Sequence, residues 1–209
     1  MDRKIVTVVL CLIVVASFAW ARTTVVVVGY GSAVAKVTRS ANFNSAENPL
    51  ATNWSTNVSQ TNMIAVSDVA TGDDDSGSYA AYWDADEFTG NQFSQAYIWG
   101  SNIGVTVKVS DDSDSFYLWK RTTGTTYELW KVSSSSWSRL GDAYTVANGD
   151  SNGELIKLEI NGTTLTPYVD GVAQATRTDS ALSGTRVGIL TESNISTGCF
   201  LDDWSGGDL

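Results

Sequence analysis

Leu155-Ile156-Lys157-Leu158-Glu159-Ile160-Asn161-Gly162 reads as a β-strand running into a hairpin turn. Ile156, Leu158 and Ile160 fall on one face of an extended chain and Lys157 and Glu159 on the other. Asn161-Gly162 is the strongest hairpin signal in the sequence. Thr163–Val169 then pairs back, Asp170-Gly171 makes a second such turn, and Val172–Arg177 follows. Outward from this stretch the same texture recurs. Gly104–Ser110 alternates with Val105, Val107 and Val109 on one face, and Phe116–Arg121 and Thr126–Val132 flank Thr122-Thr123-Gly124-Thr125. Met63–Val69, Ser78–Trp83, Phe88–Ile98, Arg186–Glu192 and Cys199–Trp204 complete the set, with Ser133–Ser136 as a polar turn. About a dozen short strands at this spacing, without an amphipathic helix, predict an all-β, two-sheet antiparallel jelly-roll sandwich.

The sandwich texture begins near Ala41 and runs to Leu209, behind two apolar stretches. Met1–Ala21 reads as a signal peptide. Its charged start (Asp2, Arg3, Lys4) precedes an apolar core over Ile5–Phe18, and Ala19-Trp20-Ala21 offers small residues at the two positions that set cleavage. The expected location is therefore secreted or at the extracellular surface, and an uncleaved leader is the one membrane contact the sequence allows. Residues 22–40 form an N-terminal strand or linker centred on Val25–Val28, four β-branched residues that favour pairing with a neighbouring strand.

Composition narrows the function. The net charge is −10, and loss of Arg3 and Lys4 against Asp2 with the leader makes it −11. An acidic chain is a poor partner for nucleic acid or anionic lipid, both of which reward clustered Lys and Arg. Histidine is absent, which removes His-based general bases, Ser–His nucleophiles and the commonest zinc ligands. Cys11 lies in the leader, so Cys199 stands alone in the mature chain and reads as a small buried hydrophobe.

One order of elements is distinctive: Gly153–Thr163, Tyr168-Val169-Asp170-Gly171, Asp179, Leu182-Ser183-Gly184, Gly188-Ile189 and Phe200-Leu201-Asp202-Asp203-Trp204. It resembles the concanavalin A-like lectin/glucanase superfamily in its laminin-G-like jelly-roll form. Phe43, Asn53-Trp54, Trp83, Phe88 and Gln92-Phe93 are similar to the first half of such domains. The resemblance implies one convex and one concave sheet, a glycan-binding or catalytic groove on the concave face, and structural calcium in many members. Its motifs are turn glycines and apolar alternation, so it implies fold more firmly than activity.

The glucanase-type relatives carry Glu, Asp and Glu at alternating positions of one strand, which places all three on one face. This chain has no such triplet; its nearest match is Asp84-Ala85-Asp86-Glu87. Aromatic residues are the better lead. Tyr97 and Trp99 alternate on one strand, Tyr117 and Trp119 on another, and Trp130 lies on the next. Sugar rings stack on such side chains, although half of every sandwich strand faces the core. These five residues are the expected ligand-binding set. Asp202 and Asp203 are the expected metal ligands, if a structural calcium is bound. The acidic turns Asp73–Asp75 and Asp111–Asp114 match no EF-hand spacing. Four glycosylation sequons start at Asn53, Asn57, Asn161 and Asn194. The first reading is a secreted non-catalytic carbohydrate-binding or adhesion module. The alternatives are a structural subunit that self-assembles through Val25–Val28, and a glycan-cleaving enzyme.

Overall fold

The computed structural model describes residues 36–47, 50, 53–56, 62–73, 77–110, 114–147, 153–192 and 194–209. The leader, the Val25–Val28 strand, Asn57, Asp74, Asp75, Asp111 and Asp112 lie outside the described residues. The fold is a sandwich of two antiparallel sheets, as predicted. The nine-stranded sheet comprises β1 (Thr38–Ala41), β3 (Met63–Val66), β4 (Val69–Gly72), β6 (Gln92–Trp99), β12 (Glu154–Asn161), β13 (Thr164–Val169), β14 (Val172–Ala173), β15 (Arg177–Thr178) and β17 (Phe200–Asp208). The eight-stranded sheet comprises β2 (Trp54–Thr56), β5 (Tyr79–Trp83), β7 (Ile103–Val109), β8 (Phe116–Thr123), β9 (Thr126–Ser133), β10 (Ser136–Arg139), β11 (Tyr144–Thr145) and β16 (Arg186–Thr191). The order through the first sheet is β14-β13-β12-β6-β17-β4-β3, and through the second β10-β9-β8-β7-β16-β5-β2. β1 lies along β17, with Thr38 opposite Gly207 and Ala41 opposite Trp204.

The turns explain where strands begin and end. Asp170 and Gly171 both have positive φ (48° and 77°), the type I′ pattern their sequence signals. The preceding hairpin turns one residue later than Asn161-Gly162 suggests. Asn161 pairs with Thr164, the loop is Gly162-Thr163, and positive φ is confined to Gly162 (59°), the II′ pattern. Met63–Val69, expected as one strand, is a hairpin. Ser67 and Asp68 sit at φ 52° and 66° between β3 and β4.

The core lies between the sheets. Ile98, Ile156, Leu158, Ile160, Leu165 and Leu201 face Val105, Val107, Tyr117, Trp119, Leu129 and Ile189. Trp204 packs edge-on to Trp54 at 4.7 Å and stacks on Trp83 at 5.6 Å. Trp119 stacks on Tyr127 at 5.2 Å. Polar side chains also bridge the sheets. Gln92 Nε2 donates to Gly184 O, and its Oε1 accepts from Lys108 N. Ser94 Oγ donates to Gly188 O and accepts from Trp204 Nε1. Cys199 is buried, as expected of a small hydrophobe. No described helix is long and apolar enough to cross a membrane.

Candidate functional site

The five expected ligand-binding aromatics divide between three environments. Tyr117 and Trp119 are completely buried. Strand alternation turns both inward, and the core fills with them. The Tyr117 hydroxyl donates to Asp179 at 2.6 Å and Trp119 Nε1 donates to Tyr168 O. Burial, then the Asp179 carboxylate, push the Tyr117 phenol well above its usual range. The expectation that these two present their faces to a ligand is corrected: they hold the sheets together.

Trp130 is half-buried on the outer face of the eight-stranded sheet, packed on the cluster of Phe116, Leu118 and Val132. Its indole N–H donates to Glu128 at 2.9 Å, and the Lys120 ammonium lies 5.6 Å from its ring centre. Trp137, which lies in the segment expected to follow a polar turn, stands on β10 and meets Trp130 edge-on at 6.0 Å. Ser134 and Ser135 form the positive-φ turn that returns this strand on β9.

Tyr97 and Trp99 are on the outer face of the nine-stranded sheet, away from the other three. Along β6, Gln92, Ser94, Ala96 and Ile98 turn inward, leaving Phe93, Gln95, Tyr97 and Trp99 outside. Alternate residues of a strand are about 6.7 Å apart, so this strip is about 20 Å long. Tyr97 is 39% exposed. Trp99 pairs in register with Phe200, and the two rings stack at 4.9 Å and 18°. Gly153 backs the indole: a Cβ there would sit 3.2 Å from the Trp99 ring.

Polar groups flank this strip on neighbouring strands. Lys157 lies beside Gln95, with its ammonium 5.2 Å from the Phe93 ring and 5.3 Å from the Tyr168 ring. Glu159 pairs with Lys157 and accepts from the Tyr168 hydroxyl at 2.8 Å. That hydrogen bond, with burial, raises the Tyr168 phenol above its usual value. Asp202 is opposite Tyr97 on β17. Burial first, then the Asp203 and Asp68 charges, raise its carboxyl above the usual value against one hydrogen bond from Asp203 N. Sequence reasoning missed Phe200, Tyr168 and Lys157 in this strip, because the strand pairing that gathers them is not visible in local alternation, and it missed Phe93 although alternation along β6 puts it on the face of Tyr97 and Trp99.

The strip sits on a sheet of known architecture. The structure aligns with the carbohydrate-binding module CBM66 from Bacillus subtilis at a TM-score of 0.55 and 16% identity, covering 75% of this chain and 92% of that one. The exoplasmic/lumenal domain of VIP36 in its Ca2+/Man-bound form aligns at 0.56 and 10% identity, covering 75% and 83%. A Bacillus licheniformis β-glucanase aligns at 0.53 and 10% identity, covering 82% and 98%. The chain has the concanavalin A-like jelly-roll fold. No protein-family model and no curated protein matches the sequence.

In this jelly roll the acids weighed for catalysis are held in ion pairs. Asp86 accepts two hydrogen bonds from Arg39, each 2.7 Å, and one from Trp83 Nε1. Asp84 accepts from Ser55 and lies 3.0 Å from Arg186. No described strand presents acids at three alternating positions. Asp202 and Asp203 are adjacent across a bulge at which Asp203 takes φ 47°, and no three acidic groups among the described residues converge on one point. Of the sequons, Asn161 is exposed, whereas the Asn53 amide nitrogen is buried without a hydrogen-bond partner and Asn194 is buried.

Proposed function

We propose that this protein is a secreted, non-catalytic carbohydrate-binding module that holds a neutral glycan on the outer face of its nine-stranded sheet. The observation that carries this reading is the continuous strip of Tyr97, Trp99 and Phe200, bordered by Gln95, Lys157 and Asp202. Tyr97 and the Trp99–Phe200 pair would take the apolar C–H face of successive sugar rings. The amide, ammonium and carboxylate groups would exchange hydrogen bonds with the ring hydroxyls. The fold, shared with a carbohydrate-binding module and with the exoplasmic/lumenal domain of VIP36 in its Ca2+/Man-bound form, is consistent with that role.

The test is a glycan array followed by isothermal titration of the strongest hit. Tyr97→Ala and Trp99→Ala should each weaken binding by about 2 kcal/mol, a factor of about 30, as buried aromatic anchors do. Circular dichroism must stay unchanged in both variants. Binding that survives the Tyr97→Ala/Trp99→Ala double variant would move the site elsewhere. A silent array would reject the reading. Release of reducing sugar from any hit would favour the glycan-cleaving alternative, to which the shared β-glucanase fold also points.

A further inference from the structure

Lys108 is a buried cation without a counterpart. It stands on β7 with 7% of its surface exposed, and among the described residues its ammonium meets no carboxylate, hydrogen-bond acceptor or aromatic ring. The other lysines on described strands are each held by an acid: Lys120 by Glu192, Lys131 by Asp179 and Lys157 by Glu159. Burial pushes the Lys108 amine below the usual lysine range, and no neighbouring charge acts on it. A charge taken out of water without a partner is costly.

A bulge aims this side chain. Val107 faces the core and Val109 the outer cluster, so alternation breaks between them at Lys108. Lys108 takes φ 57°, and the register with β16 shifts at Arg186/Val187. The Gln92 side chain holds the bulge from β6: its Oε1 accepts from Lys108 N at 2.9 Å, and its Nε2 donates to Gly184 O at 3.1 Å. The ammonium thereby reaches the loop Thr89-Gly90-Asn91, which leads into β6 and is exposed. A Cβ on Gly90 would lie 3.8 Å from the Lys108 nitrogen, and no other described atom outside the adjoining residues comes within 4 Å of that point. The nitrogen keeps contact with solvent, since Asn53 Nδ2 is the one described side-chain polar atom sealed from it without a partner. The loop also holds unused donors. Phe88 N donates to Thr185 O and Thr89 N to Asp208 Oδ1, whereas the Gly90 and Asn91 N–H groups have no acceptor among the described residues. Asp208 does not fill the gap: its other oxygen accepts from Val37 N, and it forms no ion pair with Lys108.

We infer that Lys108 and the Gly90 loop form a site for a small oxyanion, with one anion oxygen set between the ammonium and Gly90. A charge-assisted hydrogen bond there compensates the desolvated ammonium. The ligand is small because the chain carries a net charge of −10, which repels a polyanion. The site uses none of the residues of the aromatic strip and stands without the glycan reading.

Two-dimensional 1H–15N NMR of the full chain, titrated with sodium sulfate against chloride at constant ionic strength, tests the inference. The Gly90 and Asn91 amides should shift saturably in the wild type, and Lys108→Met should weaken the response by about tenfold or more. Thermal melts give a second readout. Sulfate stabilises any fold by exclusion from its surface, so the excess gain of wild type over variant measures binding. Gly90→Asp sets a carboxylate beside the ammonium. It should raise the melting temperature in chloride and abolish the excess gain from sulfate, and it covers the case in which Lys108→Met does not fold. No saturable shift in the wild type, or a shift that persists in both variants, would overturn the inference. Glucose 6-sulfate separates the sources of the anion. A response equal to that of sulfate assigns the site to the free ion. A tighter one that falls back in Tyr97→Ala/Trp99→Ala assigns it to a substituent of a glycan on the strip. The sulfate response itself should be intact in that double variant, whether or not the strip binds sugar.

Discussion

Arg121 and Glu154 meet inside the sandwich, one from each sheet, and are almost fully buried. The guanidinium lies 2.8 Å from Glu154 Oε2, the Tyr127 hydroxyl donates to the same oxygen, and Arg121 Nε donates to Gly100 O. Burial, then Glu154, hold the Tyr127 phenol well above its usual range. Removing one member of such a pair strands the other, so Glu154→Ala should cost about 3–5 kcal/mol in urea denaturation. Arg121→Met/Glu154→Leu should recover much of that loss, because the apolar pair has no charge to desolvate. A Glu154→Ala variant within 1 kcal/mol of wild type would mean that water reaches the pair. Two half-buried acids act in opposite directions. Burial alone would raise Asp86, but the hydrogen bonds from Arg39 and Trp83 and the Arg39 charge outweigh it and hold the carboxyl below 3.8. Its contribution to stability is therefore complete above pH 3.8 and lost as pH falls through the lowered value. Asp202, raised by burial and by Asp203 and Asp68, has the reverse sign. Its penalty is absent below pH 3.8 and grows as pH rises through the raised value. Asp202→Asn should raise the melting temperature at pH 7, with no gain at pH 3. Asp86→Asn should lower it at pH 7, with the deficit shrinking in acid.

At the scale of elements, turns decided how much could be read in advance. Long strands with clean alternation were legible: β7, β8, β9, β12, β13 and β16 fall within two residues of their expected spans. Asp170-Gly171 was legible because glycine relieves the left-handed conformation. Ser67-Asp68 was not, because it adopts that conformation twice in succession without a glycine, and the β3–β4 hairpin was read as one strand. Ser133–Ser136 was legible as a polar turn, but the return strand β10 that carries Trp137 was not. Replacing Ser67-Asp68 with Asn-Gly should stabilise the β3–β4 hairpin by about 1 kcal/mol, since these residues suit a type I′ turn. It also removes the Asp68 charge that acts on Asp202. Chemical denaturation checks this, and a loss of stability would mean that Asp68 has a compensating partner. Between strands, Gly188 in β16 is fixed by close approach. A Cβ there would sit 2.2 Å from Ala81 O and 2.8 Å from Tyr82 Cα. Gly188→Ala must push β5 away from β16, with an expected cost of about 1–3 kcal/mol.

For the whole molecule, the sandwich separates two outer faces by about 10 Å of packed core, and this separation governs what the sequence could say about function. Alternation identified the aromatics but not the sheet to which each strand belongs. Tyr97, Trp99, Tyr117, Trp119 and Trp130 therefore read as one set, whereas the structure sends two to one outer face, two to the core and one to the other face. Only strand order, set by pairings as distant as β6 with β17, brings Phe200 against Trp99 and Asp202 beside Tyr97. The division yields a prediction that compares the faces directly. A glycan bound on the β6 strip should titrate as one site per chain, lost in Tyr97→Ala/Trp99→Ala. It should be unchanged in Trp137→Ala, whose ring is 37% exposed on the opposite sheet.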